Sequence, residues 1–475
     1  MSSQTLLRRR PVQILITIAL GFFVGFQAID PSAELLRSLS VAVVVVCVGT
    51  WAVTRTPRAA LVGYLACTFL GLNLFGTTVA GVTLRPADIF YLPLLVWALG
   101  RRRSEPASNI GQGPILLLIV VLGMSLLPLA TVSAGGFVTA VVPWARLAQT
   151  LSMIWILPRV LVDESDRRFA LGAIMGAAAL ELVRALVQIG IDGFVGDRLQ
   201  GGVGPNAEGL LAATLVVLVL YAPLPRGWML RLSFMGIALV GLATAKSVGS
   251  IGALGLTVGV VGLGRSGDLR LARALRPLRL LLVGIGLIAV VGVLRQDNLP
   301  GSPGFEAGTA QQRVIFAAAG LEVFREHPLL GVGWQRSADP SIIGTEQLND
   351  QLRAQFSNIR ADFFPDVNGG SSVHNSYVQI LAEAGIVGGL ALVFAVFVCW
   401  KRIKALGRAL SGDEAQVARA LVIVLCLTLL WLNDNALFGA QPESVLLGTT
   451  LGVLASFAPG SNDRERQRGA AMAAQ

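Results

Sequence analysis

Long apolar runs, separated by short charged or glycine- and proline-rich breaks, extend along nearly the whole chain. A run of about 20 apolar residues crosses a bilayer as a helix, which satisfies its own backbone hydrogen bonds within lipid. Several runs are short, so the pattern predicts an all-α, polytopic membrane helix bundle of about 12–14 transmembrane helices. These helices are expected near residues 11–30, 36–54, 59–78, 86–100, 114–133, 140–160, 169–191, 207–224, 230–246, 249–264, 278–294, 377–400, 419–438 and 443–458.

The composition excludes a soluble enzyme. Of the 475 residues, 54% are hydrophobic and 14% are charged, whereas a soluble protein carries about a quarter charged residues. In a soluble protein the net charge of +10 would indicate a nucleic-acid partner. In a membrane protein, an excess of basic residues marks the cytoplasmic loops instead, and no nucleic-acid partner is expected.

The basic residues also predict the orientation of the chain. With the Arg8–Arg10 cluster in the cytoplasm, roughly 26 of the 38 basic residues fall on that side, which is the asymmetry of cytoplasmic loops. Both termini are then cytoplasmic. We interpret the first apolar run as a retained helix rather than a cleaved signal peptide.

This topology leaves one long segment, residues 295–376, outside the membrane. It separates an N-terminal transmembrane bundle (1–294) from the C-terminal helices and cytoplasmic tail (377–475). Residues 335–370 are expected to be irregular. A loop of this length in a compact bundle indicates function, and both histidines of the chain, His327 and His374, fall in it. An outer helix is predicted over 310–326, ended by His327-Pro328, with one face formed by Val314, Ile315, Ala318, Leu321 and Phe324.

Sequence motifs occupy both ends of this loop. Residues 313–333 read RVIFAAAGLEVFREHPLLGVG, and His374-Asn375 is followed after nine residues by Gly385 and Gly388. Further upstream, residues 197–206 read DRLQGGVGPN and residues 84–88 read LRPAD. These segments resemble the O-antigen ligase and polymerase family of bacterial envelope proteins. One departure is Lys246-Ser247, which stands where the family usually has a Ser-Arg pair.

The resemblance implies a glycan transferase at the outer face of the bacterial cytoplasmic membrane. Its donor would be a polysaccharide on a polyprenyl diphosphate held in the lipid bilayer, and its acceptor would be a hydroxyl of a glycan or glycolipid. An O-antigen ligase is the leading interpretation. A polymerase that joins lipid-linked repeat units uses the same chemistry and is the alternative, and a small-solute transporter is the alternative from another class.

Such a transfer needs a base for the acceptor hydroxyl and positive charge for the departing diphosphate. His374 is the candidate base because the ordinary pKa of histidine lies near neutrality; its alternative role is a structural hydrogen bond at a helix start. His327, at a helix end, is expected to cap carbonyls. The candidate diphosphate ligands are Arg198, Arg313, Lys246 and Arg146. The supporting candidates are Asn375, Asn206 and His327.

Other polar residues lie within the predicted spans. Arg184 shares a helix face with Glu181, so the two are expected to pair. Glu383 is expected to be an interior polar residue rather than the base. The sequence has no Asp-x-Asp pair in the outer segments, no histidine–cysteine cluster and no Walker motif, so neither a metal nor another cofactor is expected.

Overall fold

The computed structural model describes residues 56–72, 77–79, 82–100, 112–127, 134–192, 203–262, 307–357, 359, 361–367, 373–433, 435–437 and 441–457. Three predicted spans, near residues 11–30, 36–54 and 278–294, lie outside these ranges, as does Arg198. The described helices are α1 (Pro57–Phe69), α2 (Pro86–Gly100), α3 (Gln112–Met124), α4 (Ala134–Leu151), α5 (Met153–Val160), α6 (Glu164–Asp192), α7 (Pro205–Tyr221), α8 (Trp228–Ala245), α9 (Val248–Gly262), α10 (Ala307–Glu326), α11 (Pro340–Ile343), α12 (Glu346–Gln355), α13 (Ser376–Ala409), α14 (Gly412–Trp431) and α15 (Pro442–Ala455).

The chain is an all-α membrane helix bundle, which confirms the predicted fold class. One small antiparallel hairpin, β1 (Thr77–Val79) and β2 (Val82–Leu84), stands between α1 and α2. In the described part of the chain, α6, α8, α13 and α14 are long and apolar enough to cross a membrane, and five shorter apolar helices accompany them. The total of about 12–14 spans stays a prediction, because three of the runs lie outside the described ranges.

Two helices lie at the centre of the bundle. Residues 207–220 of α7 are all buried, and so is every residue of α15. A helix that is apolar on all sides belongs in the interior of a bundle. Pro205 and Pro442 begin these helices, at the position where the missing N–H of proline costs no intrahelical hydrogen bond.

The structure corrects three predicted spans. The span at 59–78 ends early, at Phe69, because Gly71 adopts the left-handed conformation (φ 69°) that stops a helix. The span at 419–438 lies instead at 412–431, since acidic Asp413 and Glu414 stabilise a helix start seven residues earlier. The span at 140–160 is divided into α4 and α5 at Ser152, whose hydroxyl bonds the carbonyl of Gln149 at 2.6 Å.

The outer segment contains a small hydrophobic core of its own, with Ile315, Ile343, Leu352 and Phe364 among its members. The prediction that residues 335–370 are irregular was wrong for α12. Thr345 caps that helix by accepting a hydrogen bond from the Leu348 N–H, and Leu348 and Leu352, one turn apart, both face the core. The capping threonine and the one-turn spacing are the physical cause of this helix.

Helix α10 ends at Glu326, immediately before His327, as the His-Pro pair predicted. Its buried face differs from the predicted one. Ile315, Phe316 and Val323 are buried, whereas Val314 and Leu321 are 55% and 40% exposed. The face is rotated because α10 packs against α13 on one side and against the outer core on the other.

Helix ends predicted to be cytoplasmic lie together at one end of the bundle. Arg58 of α1 bonds Asp166 of α6 at 2.7 Å, and Arg168 bonds Asp413 of α14 at 2.6 Å. Arg167 forms an ion pair with Glu414. Polar contacts at the opposite end join the starts of α7 and α13 to the segment that follows α14. The bundle therefore has two distinct ends, and the candidate site lies at the second.

Candidate active site

His374 lies directly before the first turn of α13. Asn375 is the N-cap of this helix, and its side-chain oxygen accepts the N–H groups of Tyr377 (3.1 Å) and Val378 (3.0 Å). Its side-chain nitrogen donates to Asn433 after α14, at 2.9 Å to the carbonyl and 3.0 Å to the side-chain oxygen. The backbone carrying His374 is therefore fixed to two helices.

The imidazole of His374 faces α10. Its ring centroid lies 5.7 Å from that of Phe316, and Arg313 stands one turn earlier on the same helix. Burial, and then the positive charge of Arg313, lower the pKa of His374 below its ordinary value. Both causes disfavour the imidazolium form, so the imidazole of His374 is neutral at neutral pH.

Helix α10 approaches His374 closely because of Gly320. A Cβ atom on Gly320 would lie 2.8 Å from the side chains of both Val373 and Val378. These two valines flank the segment that carries His374. A larger side chain at position 320 would therefore push α10, with Arg313 and Phe316, away from the histidine.

The two motifs that carry the family resemblance are joined through their backbones. Helix α13 is broken at Gly385, which adopts φ 63° and ψ −163°. The carbonyls of Ala382 and Glu383 instead accept the N–H groups of Val332 (3.0 Å) and Gly333 (2.9 Å). The N–H of Ile386 in turn donates to the Pro328 carbonyl at 2.8 Å. The segment 328–333 thus provides hydrogen-bond partners that the broken helix lacks.

Glu383 is fully buried beside this break, in agreement with its prediction as an interior residue. Its carboxylate accepts hydrogen bonds from the hydroxyl of Ser337 and from the side-chain nitrogen of Gln379, at 3.2 and 3.3 Å. Sequence reasoning missed both partners. Gln379 lies four residues before Glu383, a spacing that places two side chains together on a helix, but nothing in the sequence connects Ser337 to this position.

Asn206 belongs to the same end of the bundle. Its side-chain nitrogen donates to the side-chain oxygen of Asn435 at 3.4 Å, and its backbone carbonyl accepts the hydroxyl of Ser250 at 3.4 Å. The carbonyl of Asn435 also accepts the Ser376 hydroxyl at 2.6 Å. Asn206 is therefore linked through one shared residue to the start of α13, two residues after His374.

Lys246 lies between α8 and α9, where it adopts the left-handed conformation (φ 47°), which is uncommon for a residue with a side chain. It is exposed, and the neighbouring Ser247 is buried and hydrogen-bonded to Ser250 at 2.9 Å. Because Ser250 also contacts Asn206, the residue that follows Lys246 belongs to the polar network at this end of the bundle.

Arg146 forms an ion pair with Asp88, at the start of α2. Gln149 donates to the same carboxylate at 3.0 Å, and the backbone N–H of Arg85 donates to it at 2.8 Å. Asp88 was not predicted as a partner, since 58 residues separate it from Arg146. Arg184 pairs with Glu181 at 2.7 and 2.8 Å, as predicted.

The structure does not bring the two histidines together. His327 is exposed at the far end of α10, eleven residues beyond Phe316, which is about 16 Å along a helix axis. Its backbone N–H donates to the carbonyl of Val323 at 3.0 Å and closes the helix. Its expected supporting role stays a prediction.

Residues 209–393 match the family model of the O-antigen ligase. Over these residues the chain is similar to the O-antigen ligase family. The matched segment includes Lys246, Arg313, His327, His374 and Asn375, and it extends past the helix break at Gly385. The other three site candidates, Arg146, Arg198 and Asn206, precede it. No curated protein matches the chain at a significant level.

The matched segment thus contains the connection between 328–333 and 382–387 as well as the contact of α10 with His374. In the described part of the chain, no group of three or more histidine, cysteine, aspartate or glutamate side chains is arranged to hold a metal ion. The described polar groups near His374 include the amide of Asn375, the hydroxyl of Ser376 and the guanidinium of Arg313.

Proposed function

We propose that the protein is an O-antigen ligase of the bacterial cytoplasmic membrane. It takes a polysaccharide from a polyprenyl-diphosphate carrier and joins it to an acceptor hydroxyl at the outer face. The observation that supports this proposal best is the place of His374, a neutral imidazole beside Arg313 within the segment that matches the O-antigen ligase family.

His374 acts as the general base in the proposed step. A neutral ring nitrogen takes the proton of the acceptor hydroxyl while the oxygen of that hydroxyl bonds to the anomeric carbon of the donor glycan. The bond between this carbon and the diphosphate oxygen breaks, and its electron pair leaves with the polyprenyl diphosphate. The lowered pKa of His374 supports this role, because it keeps the nitrogen lone pair available.

Cations stabilise the charge that develops on the leaving diphosphate. Arg313 is assigned here because it is the cation nearest His374 along α10, and its guanidinium forms charge-assisted, often bidentate bonds to phosphate. Arg198 and Lys246 are assigned the same role. Arg146, whose head group pairs with Asp88, is assigned the same role.

Asn375 and Asn206 are positioning residues in this account. Asn375 holds the backbone of His374 to α13 and to the segment after α14, and Asn206 joins the start of α7 to the same segment. His327 supports the end of α10. The site needs no bound metal in this account, since fixed cations supply the positive charge.

The test is replacement of the native gene by His374→Ala in cells, with protein level controlled. We expect loss of surface glycan and accumulation of full-length polymer on the carrier lipid. If single repeat units reach the surface instead, the protein is the polymerase. If cells with His374→Ala display surface glycan at the wild-type level, His374 has no part in the mechanism. His327→Ala is the matched control and should retain display; equal loss would mean that the two histidines are assigned wrongly.

A further inference from the structure

One exposed face of α13 changes from apolar to aromatic to cationic along its length. Its residues recur every three or four positions, which is the spacing of a single stripe on a helix. We call this face the α13 stripe. It comprises Leu390, Phe394, Phe397, Lys401, Lys404 and Arg408, and all six side chains are exposed. The opposite face, which carries Cys399 and Ile403, is buried in the bundle.

The two lysines of the α13 stripe lie against aromatic rings one turn before them. The ammonium nitrogen of Lys401 is 4.4 Å from the ring centroid of Phe397, and that of Lys404 is 5.4 Å from the ring centroid of Trp400. Both distances are those of cation–π contacts. The two lysine side chains therefore point back along α13, towards its apolar part. A ring covers one side of an ammonium group, so other N–H donors of both lysines can bind a ligand.

The charge of the α13 stripe is not balanced by acidic side chains of the described residues. Asp413 and Glu414 are the acidic residues that follow next along the chain, and they pair with Arg168 and Arg167 of α6 instead. Among the described residues, no carboxylate forms an ion pair with a cation of the stripe. Exposed cations at the end of a membrane-spanning helix attract the anionic head groups of lipids.

The apolar part of the α13 stripe has the length of one leaflet of a bilayer. From Leu390 to Trp400 the helix rises about 15 Å, which is half of the hydrocarbon thickness of about 30 Å. Tryptophan is enriched at the boundary between hydrocarbon and head groups. With Trp400 at that boundary, Lys401 and Lys404 lie at the level of the lipid phosphates. This is the end of the bundle that the basic residues predict to be cytoplasmic.

We propose that the α13 stripe binds an anionic phospholipid of the cytoplasmic leaflet. The ammonium groups of Lys401 and Lys404 hold its phosphate, and its acyl chains lie along Phe397 and the apolar residues before it. Charge complementarity and continuity with the exposed apolar face of a membrane-spanning helix select this occupant. A soluble anion would leave the apolar part uncovered, and a zwitterionic head group would bring its own cation to the lysines. The site lies at the opposite end of the bundle from His374, so it does not depend on the ligase assignment.

The first test places the wild-type protein in phosphatidylcholine nanodiscs with a trace of phosphatidylglycerol that carries a diazirine on an acyl chain. We expect photo-crosslinks on α13 between Leu390 and Trp400, mapped by peptide mass spectrometry. Unlabelled phosphatidylglycerol should suppress these crosslinks, and the same amount of additional phosphatidylcholine should not.

Three outcomes of this test would overturn the proposal. Equal suppression by the two phospholipids would show that the stripe does not select an anionic head group. Suppression by glycerol 3-phosphate, at the concentration at which phosphatidylglycerol acts, would indicate a site for soluble anions. Suppression by polyglutamate in the same range would indicate a docking surface for an acidic protein.

The second test removes the two lysine charges with Lys401→Gln/Lys404→Gln. The matched control is Arg402→Gln/Arg419→Gln, which removes two exposed charges at the same end of the bundle but outside the stripe. The phosphatidylglycerol content that halves crosslinking should rise about thirtyfold in the lysine variant, at about fivefold for each basic residue, and should not change in the control. Equal changes in both variants would mean that the net charge of this end attracts the lipid, and the proposed site would be wrong.

Phe397→Leu provides an independent variant, because it keeps both charges and removes the ring that positions Lys401. It should weaken the suppression by phosphatidylglycerol in the same direction as the lysine variant. Thermal unfolding in lipid-free detergent checks the fold of all three variants, and their exposed positions predict wild-type melting temperatures. A folded Phe397→Leu protein with wild-type suppression would contradict the role of the rings and overturn the proposed geometry.

Discussion

Two residues of α10, one turn apart, set the environment of His374. Phe316 packs on the imidazole and Arg313 places a positive charge beside it. Since burial and the positive charge both disfavour protonation, the fold keeps the imidazole neutral. In the proposed mechanism the same arginine binds the diphosphate, so one side chain would act on both the base and the leaving group.

This arrangement predicts an effect of Arg313→Gln on pH dependence. The charge of Arg313 lowers the pKa of His374, so its removal should raise that pKa towards the ordinary value of histidine. The acid limb of the kcat/KM profile should therefore move to higher pH, with a lower plateau because a phosphate ligand is lost. NMR titration of His374 in both proteins measures the shift directly.

Arg313→Lys is the matched control, since it retains the positive charge and loses the fork of donors. In the pH profile of kcat/KM for Arg313→Lys, the acid limb should stay close to that of the wild type while the plateau falls. A His374 pKa that does not change in Arg313→Gln would contradict the electrostatic part of the account.

At the scale of elements, the break in α13 depends on glycine. Gly385 has φ 63°, and a Cβ atom there would overlap the carbonyl of Leu329; one on Gly331 would overlap the backbone of Glu383. The backbone conformation of Gly385 (φ 63°, ψ −163°) lies in a region that essentially only glycine occupies, and it costs a residue with a side chain about 1–3 kcal/mol. The approach of 328–333 to α13 is therefore possible only without these side chains.

Gly385→Ala should consequently destabilise the protein by more than about 1 kcal/mol and separate the two motifs. Thermal unfolding in detergent measures the loss. Gly407→Ala is the control on the same helix, because no atom lies within 4 Å of its added Cβ and alanine favours a helix over glycine. Equal melting temperatures for Gly385→Ala and the wild type would show that the backbone connection is dispensable.

The bounds of the helices also show how much of the fold the sequence can predict. The apolar runs predicted α2 and α7 to within a few residues, because burial in lipid or in the bundle leaves few alternatives to a helix. The predicted ends of α1 and α14 were wrong. Gly71 stops α1, and the first-turn acids Asp413 and Glu414 stabilise the start of α14, and the apolar runs do not reveal either effect. Helix α12 was missed because its single apolar side is only two turns long.

The sequence alone indicates those residues of the candidate site that belong to a rare residue type or to a motif. His374 and Asn375 stand out because the chain has only two histidines and the motif follows them. The pairing of Arg146 with Asp88 and of Glu383 with Ser337 depends on contacts between residues 58 and 46 positions apart. Such contacts arise from helix packing, which a single sequence does not specify.

At the scale of the whole molecule, charge separates the two ends of the bundle. One end carries the ion pairs of Arg58, Arg167 and Arg168, and the other carries the amide and hydroxyl network around His374. The positive-inside rule predicts that the first end is cytoplasmic. The proposed site would then face the exterior, where the proposed lipid-linked donor is available.

Cysteine labelling tests this orientation. Gln347 on α12 and Ser411 between α13 and α14 are both exposed, and they belong to opposite ends of the molecule. The reagent is a membrane-impermeant maleimide, applied to cells in which it can reach the outer face of the cytoplasmic membrane. It should label Gln347→Cys in intact cells, and it should label Ser411→Cys only after permeabilisation. The reverse pattern would place the proposed site in the cytoplasm and contradict the account.

The central claim is that His374 takes the proton of the acceptor. Its most direct test is glycan transfer by the purified protein in proteoliposomes that contain a polyprenyl-diphosphate-linked glycan and an acceptor glycolipid. General-base catalysis contributes about 10²–10⁴ to a rate, so His374→Ala should reduce kcat by that factor with donor binding unchanged. His327→Ala should have a much milder effect on kcat, because His327 is exposed at the far end of α10. A wild-type kcat in His374→Ala would contradict the account.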